Sequence, residues 1–183
     1  NSLPDFWLAL MVLLAFAYWM PLFPAGGMVD AFMHDYMSPA RAMLDRLQHL
    51  ALPLLALTLV ATAVIARFQR AALLDALPSD FVRTARAKGV TDSSVVRRHA
   101  LRNALLPMIT LAGLAFPALM GGAVFVERIF AWPGMGLLMT NAVGARDYPL
   151  VLASVLVGSF LVVLGNALAD IGYALADPRI RVR

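Results

Sequence analysis

Few residues of this 183-residue chain could do chemistry by type and spacing. Asp30, His34 and Asp35 share one polar stretch, but nothing else at metal-ligand spacing joins them. His34 therefore reads as a solvated loop histidine, and no metal site is expected. His49 lies at the edge of an apolar run without an evident partner, which suits an interfacial side chain better than a proton relay. The sequence holds no G-x-x-x-x-G-K-[ST] phosphate loop, no H-x-x-x-H pair and no G-x-S-x-G elbow. It has no cysteine, so disulfides and thiolate metal sites are excluded. The polar feature that remains is a basic run, Asp80-Phe-Val-Arg-Thr-Ala-Arg-Ala-Lys-Gly89, followed by Asp92 to Pro107 and set between two very apolar segments.

The basic run reads as a short helix, a tight turn and a longer helix. Ser79 or Asp80 is placed to N-cap the first, since a short side-chain oxygen there can accept from orphan amides. Gly89 ends it, because glycine enters the left-handed conformation without a steric penalty. Asp92 is then expected to cap the second helix, which runs through Val95, Val96, His99, Ala100 and Asn103 to Pro107.

The elements that must hold this run are membrane spans. Hydrophobic residues make up 61% and charged residues 14% of the chain, against about 45–50% and about 25% in soluble domains. Four apolar stretches, at about residues 6–23, 47–66, 103–126 and 149–169, approach the roughly 20 residues needed to cross the hydrocarbon as a helix. In lipid the backbone must be satisfied within the segment, so the expected fold is an all-α, polytopic helical membrane protein forming one domain over residues 1–183. The first stretch lacks a basic flank and carries Trp7, Tyr18 and Trp19 as interface anchors, so it reads as a span and not a signal peptide.

Charge orients the spans. The loop over residues 67–102 holds eight Lys or Arg and the C-terminal tail three more, eleven of the fifteen in the chain. By the positive-inside rule that loop and the C-terminus face the cytoplasm. Pro53 falls in the first turns of the second span, where a missing amide costs least. In the third span Pro107 and Pro117 interrupt the helix, and Gly113, Gly121 and Gly122 remove side chains; these residues read either as packing or as a bending helix along a path. Glu127 reads as a gate or as a partner for Arg128. A short helix from about Met135 to Val143 is expected at the outer interface, with Trp132 and Tyr148 as belt residues. Asn166 in the fourth span suits an interhelical hydrogen bond.

Phe81-Val-Arg-Thr-Ala-Arg-Ala-Lys-Gly89, with Arg98-His-Ala-Leu-Arg-Asn-Ala-Leu-Leu-Pro107, resembles the cytoplasmic signature loop of inner-membrane permease subunits of ABC importers, in the oligopeptide, dipeptide and nickel branch. Gly121-Gly122 with Glu127, Phe130-Ala-Trp-Pro-Gly134, Ala145-Arg-Asp-Tyr-Pro149 and Asp177-Pro-Arg-Ile-Arg181 extend the likeness in the same order. Where the general importer loop begins Glu-Ala-Ala, this chain has Arg83-Thr84-Ala85, and its interval from Gly89 to Pro107 is longer; both are similar to the peptide branch.

The resemblance implies a type I ABC importer transmembrane domain in a bacterial or archaeal cytoplasmic membrane. Four of a probable six spans are then present, and the chain is the C-terminal portion of a permease. Implied partners are a second homologous permease, two ATP-binding subunits, an extracytoplasmic substrate-binding protein and membrane lipid. Residues 78–106 become the coupling segment. Within it, Phe81, Val82, Arg83, Thr84, Ala85, Arg86, Ala87, Lys88 and Gly89 dock into a groove of the ATPase, with Ala85 and Ala87 small enough to seat there. The helix-bending or path residues become Pro107, Gly113, Pro117, Gly121, Gly122 and Glu127. No cofactor is expected on this chain, and ATP hydrolysis belongs to the partner chains. Short peptides are the expected cargo, with nickel chelates or oligosaccharides as alternatives. A membrane-tethered nucleic-acid binder would use the same basic helix pair, but the positive-inside rule already explains its charge. A membrane-embedded enzyme would have to rest on isolated His49, Asn166 or Asp170.

Overall fold

A computed structural model describes residues 4–105, 107–108, 111 and 123–176. Those residues are helix and connecting turns, with no strand among them. They fall into two compact units: one within Asn1–Thr62 and Leu119–Gly158, the other within Ala63–Ala118 and Ser159–Arg183.

The first helix, α1, covers Asp5–Leu13 and continues in wider π winding over Leu14–Trp19. It stops short of the expected Phe23. Met20 precedes Pro21, whose ring disfavours helical backbone in the residue before it, and Met20 leaves the helix at φ −121° and ψ 88°. The amides of Leu22 and Phe23 then fold back onto the Phe16 carbonyl at 3.0 and 3.2 Å.

Helix α2, Pro39–Ala76, is the longest element. Ser38-Pro39 starts it early, because proline at the first helical position lacks only an amide that would be unbonded anyway. At a rise of about 1.5 Å per residue its 38 residues extend about 57 Å, well beyond the roughly 30 Å of hydrocarbon. Pro53 therefore lies in the helix interior and not in the first turns, and it is buried. In the first unit α2 buries one face, Asp45, His49, Leu52, Pro53 and Ala56, the i, i+4, i+7, i+8, i+11 pattern of a single stripe. Leu52 and Ala56 pack with Ala9 and Val12 of α1 and with Val126 and Phe130.

After Ala76 come α3, Asp80–Ala87, and α4. The latter begins as Asp92–Ser94, widens to π winding over Val95–Ala100 and closes as Leu101–Ala104. The expected third span falls largely outside the described residues, and with it the bending expected at Gly113, Pro117, Gly121 and Gly122; Pro107 is described and exposed.

The chain continues as α5, Val124–Ile129, and α6, Met135–Ala145, close to the helix expected from Met135 to Val143. Arg146, at φ +57°, ends α6 in the left-handed conformation. Asp147 then accepts the Leu150 amide at 3.1 Å and opens α7, Tyr148–Ala176. Within its stretch Tyr148–Ile171, an 18-residue window has a mean hydropathy of 2.2 and is 6% buried. Leu152, Leu156, Phe160 and Val163 are all exposed, and an apolar surface of that length needs an apolar surrounding. Asn166 is exposed as well.

Candidate functional site

The basic run folds around its own small core. On α3, Val82 and Ala85 share a face at i, i+3 and are buried with Val95 and Ala100, while Leu73, Ala76, Leu77 and Val90 pack around them. Burying these side chains is what joins the short helix to its neighbours, since eight residues are too few to hold a helix alone. The turn that follows is a Schellman motif. The Val90 amide bonds the Ala85 carbonyl at 3.2 Å, the Gly89 amide bonds the Arg86 carbonyl at 2.9 Å, and Gly89 has φ +77°.

Two caps differ from expectation. Ser79 occupies the N-cap position, but its hydroxyl donates backwards to the Ala76 carbonyl and closes α2 instead. Asp92 is the first residue of α4 and caps nothing; its carboxylate accepts from Arg86 Nε at 3.0 Å and bridges the two helices across the turn. Arg83 lies 3.6 Å from Asp80. Both pairs are exposed, and such ion pairs contribute at most about 1 kcal/mol.

The nine residues of the expected docking segment therefore divide in two. Val82 and Ala85 face inward, so Ala85 is not free to seat in a partner's groove. Phe81, Arg83, Thr84, Arg86, Ala87, Lys88 and Gly89 are exposed. Lys88 has no ion-pair partner among the described residues.

Glu127 forms no ion pair with Arg128 among the described residues. It is buried, and its Oε1 accepts from the Ala123 amide at 3.0 Å and the Gly136 amide at 3.4 Å, while Oε2 accepts from the Leu137 amide at 2.6 Å. Gly136 and Leu137 are the second and third residues of α6, so the carboxylate caps orphan amides at the positive end of that helix. Two glycines make room for it. A Cβ on Gly134 would overlap the Glu127 carboxyl group, and one on Gly136 would meet Val124 Cγ2 at 2.7 Å. The sequence carried the signal as Glu127 followed by Pro133-Gly-Met-Gly136, which only the fold reveals as a carboxylate meeting a helix start.

A second buried carboxylate escaped sequence reasoning. Asp45 Oδ2 lies 2.6 Å from His34 Nδ1 and its Oδ1 3.1 Å from His49 Nδ1. The Asp30 amide donates to Asp45 Oδ2 at 3.1 Å. His34 is thus not a free loop histidine, and His49 has a partner four residues back on its own helix. The i, i+4 spacing of Asp45 and His49 was the available clue, hidden because residues 39–46 were expected to be loop. Asp30 accepts from the amides of Phe32 and Met33, and these bonds hold its carboxyl below the usual carboxylate range.

Residues 1–182 match the family of binding-protein-dependent transport system inner membrane components. The chain belongs to that family. It is 42% identical over 179 residues to an oligopeptide transport system permease protein of Bacillus subtilis, covering 98% of this chain and 55% of the relative. A di/tripeptide transport system permease protein of Pseudomonas aeruginosa is 40% identical over 195 residues, 98% of this chain and 57% of the relative. A glutathione transport system permease protein of Escherichia coli K12 is 46% identical over 139 residues, 76% of this chain and 45% of that protein. The chain spans about half the length of the curated relatives it matches.

Proposed function

We propose that this chain is part of the membrane-spanning subunit of an ATP-driven importer of short peptides, and that residues 78–106 couple it to the ATPase. The observation that carries the reading is the signature segment itself. A Schellman-terminated helix turns Val82 and Ala85 inward and leaves Phe81, Thr84, Ala87 and Lys88 facing out. Its exposed side is a compact, mixed surface of one aromatic ring, small side chains and unneutralised positive charge, which suits a groove with an acidic rim.

In this reading two ATP-binding subunits close on nucleotide and push the coupling helix, which is seated on α2 and α4 and moves with them. A second permease completes the path, and a binding protein delivers cargo from the far side. Four spans, at about residues 6–23, 47–66, 103–126 and 149–169, would leave residues 67–102 and the C-terminus in the cytoplasm. Pro107, Gly113, Pro117, Gly121 and Gly122 would line or bend the path. Glu127 would act beside it, by fixing α6. The names of the relatives favour peptides as cargo over nickel chelates or oligosaccharides.

The test is a tagged pull-down of the full-length protein from gently solubilised membranes, with mass spectrometry of its companions. Recovery of a second permease and of chains carrying phosphate loops is expected. Recovery of the tagged chain alone, under conditions that keep other membrane complexes whole, would contradict the reading.

A further inference from the structure

The cluster around Asp45 has no part in the coupling proposed for residues 78–106 or in the capping by Glu127. His49 Nδ1 faces two acceptors of one residue, Asp45 Oδ1 at 3.1 Å and the Asp45 carbonyl at 2.9 Å, and His34 Nδ1 faces Asp45 Oδ2 at 2.6 Å. Both ring nitrogens must therefore carry hydrogen and donate. The cluster is largely buried, and Asp45 also takes the Asp30 amide. Asp30 in turn holds the amides of Phe32 at 2.9 Å and Met33 at 3.0 Å. A chain of hydrogen bonds thus runs from α2 into residues 30–36 and fixes that loop. Arg41, Arg46 and Asp35 are exposed and form no ion pair with the cluster among the described residues.

What the loop holds out is apolar. Phe32 and Tyr36 are each 86% exposed and Met33 is exposed beside them. Two large exposed rings on a loop held by the His34–Asp45 contact and by the amide bonds of Asp30, Phe32 and Met33 are preorganised for a partner, because little conformational entropy remains to be lost on docking. Asp30 and Asp35 flank the rings, and carboxylates at that spacing oppose insertion into a lipid headgroup layer. The family description names a binding protein on which transport depends, and the positive-inside rule assigns residues 24–46 to the extracytoplasmic side.

We propose that Phe32, Met33 and Tyr36 form a docking knuckle for the substrate-binding protein, with Asp45 as the positioning residue that holds it. This rests on the permease reading. The test uses the complete complex in lipid nanodiscs, with ATPase activity titrated against the binding protein recovered in the pull-down and saturated with a mixed tripeptide pool. F32A/Y36A removes only exposed side chains and so leaves folding intact. It is expected to raise the half-saturating concentration of binding protein about tenfold, with basal and maximal ATPase unchanged. Asp45→Asn keeps the shape but loses the charge that holds both rings, and is expected to shift half-saturation the same way without lowering the maximum. An unchanged half-saturation in F32A/Y36A overturns the docking surface, and a fall in the maximum alone for Asp45→Asn overturns the positioning role. If the unmodified complex ignores the binding protein altogether, the permease reading itself fails, and the knuckle with it.

Discussion

Two carboxylates show how differently the two units use the same side-chain chemistry. Glu127, in the first unit, is buried and gives its oxygens to three backbone amides. Asp92, in the second, is exposed and holds a single arginine across a turn. A buried, charge-assisted bond to a backbone donor is strong, and leaving that donor bare costs its full desolvation. An exposed pair is screened and loses side-chain entropy. Glu127 is therefore committed to structure, while the charges of Arg86 and Asp92 stay at the surface.

Glu127→Ala is the change expected to separate the two regions most sharply. It strands three amide donors and should lower stability by roughly 3 kcal/mol or more, read as the unfolding midpoint of the solubilised protein. Gly134→Ala should resemble it, since its Cβ overlaps the Glu127 carboxyl group. Next come two alanines of one helix. Ala85→Leu overfills the Val82–Val95 core and should cost about 1–3 kcal/mol. Ala87→Leu, on the exposed face, should leave stability within about 0.5 kcal/mol while weakening retention of the ATPase. Equal effects of the two on folding would remove the distinction between an inner and an outer face.

Gly89→Val should cost about 1–2 kcal/mol, the penalty of a left-handed backbone for a branched residue. Apart from its chain neighbours, no atom of the described residues lies within 4 Å of the position its Cβ would take, so the strain is local to the backbone. Gly89→Asn, which tolerates that conformation, should restore ATPase docking where Gly89→Val impairs it. The smallest effect is expected for Arg86→Ala and Asp92→Ala. A double-mutant cycle should give a coupling of about 0–1 kcal/mol, and a much larger value would mean that the turn depends on that pair.

Much of this was legible in the residues. Gly89 at the end of α3 and the short helix after Met135 follow from local backbone preferences, which the fold obeys. The apolar length of α7 was equally plain. What stayed hidden depended on which distant groups meet. Asp45 and His34 are eleven residues apart, and Glu127 reaches amides nine and ten residues on. Neither pairing has a period or a motif to announce it. Ala85 shows the same limit at short range: its small size suggested an outward, docking role, but at three residues from Val82 it belongs to the buried stripe. Ser79 and Asp92 had the right types for caps, and each found a different partner close by.

The most direct measurement is a cysteine scan of Asp80–Gly89 in the full complex, read by crosslinking to the ATPase subunit. The chain has no cysteine of its own, so each introduced thiol is unique in it. Crosslinks are expected at positions 81, 84, 87 and 88, and none at positions 82 and 85. Crosslinks absent throughout the segment from an intact complex, or equally strong at the two buried positions, would contradict the coupling role assigned to this helix.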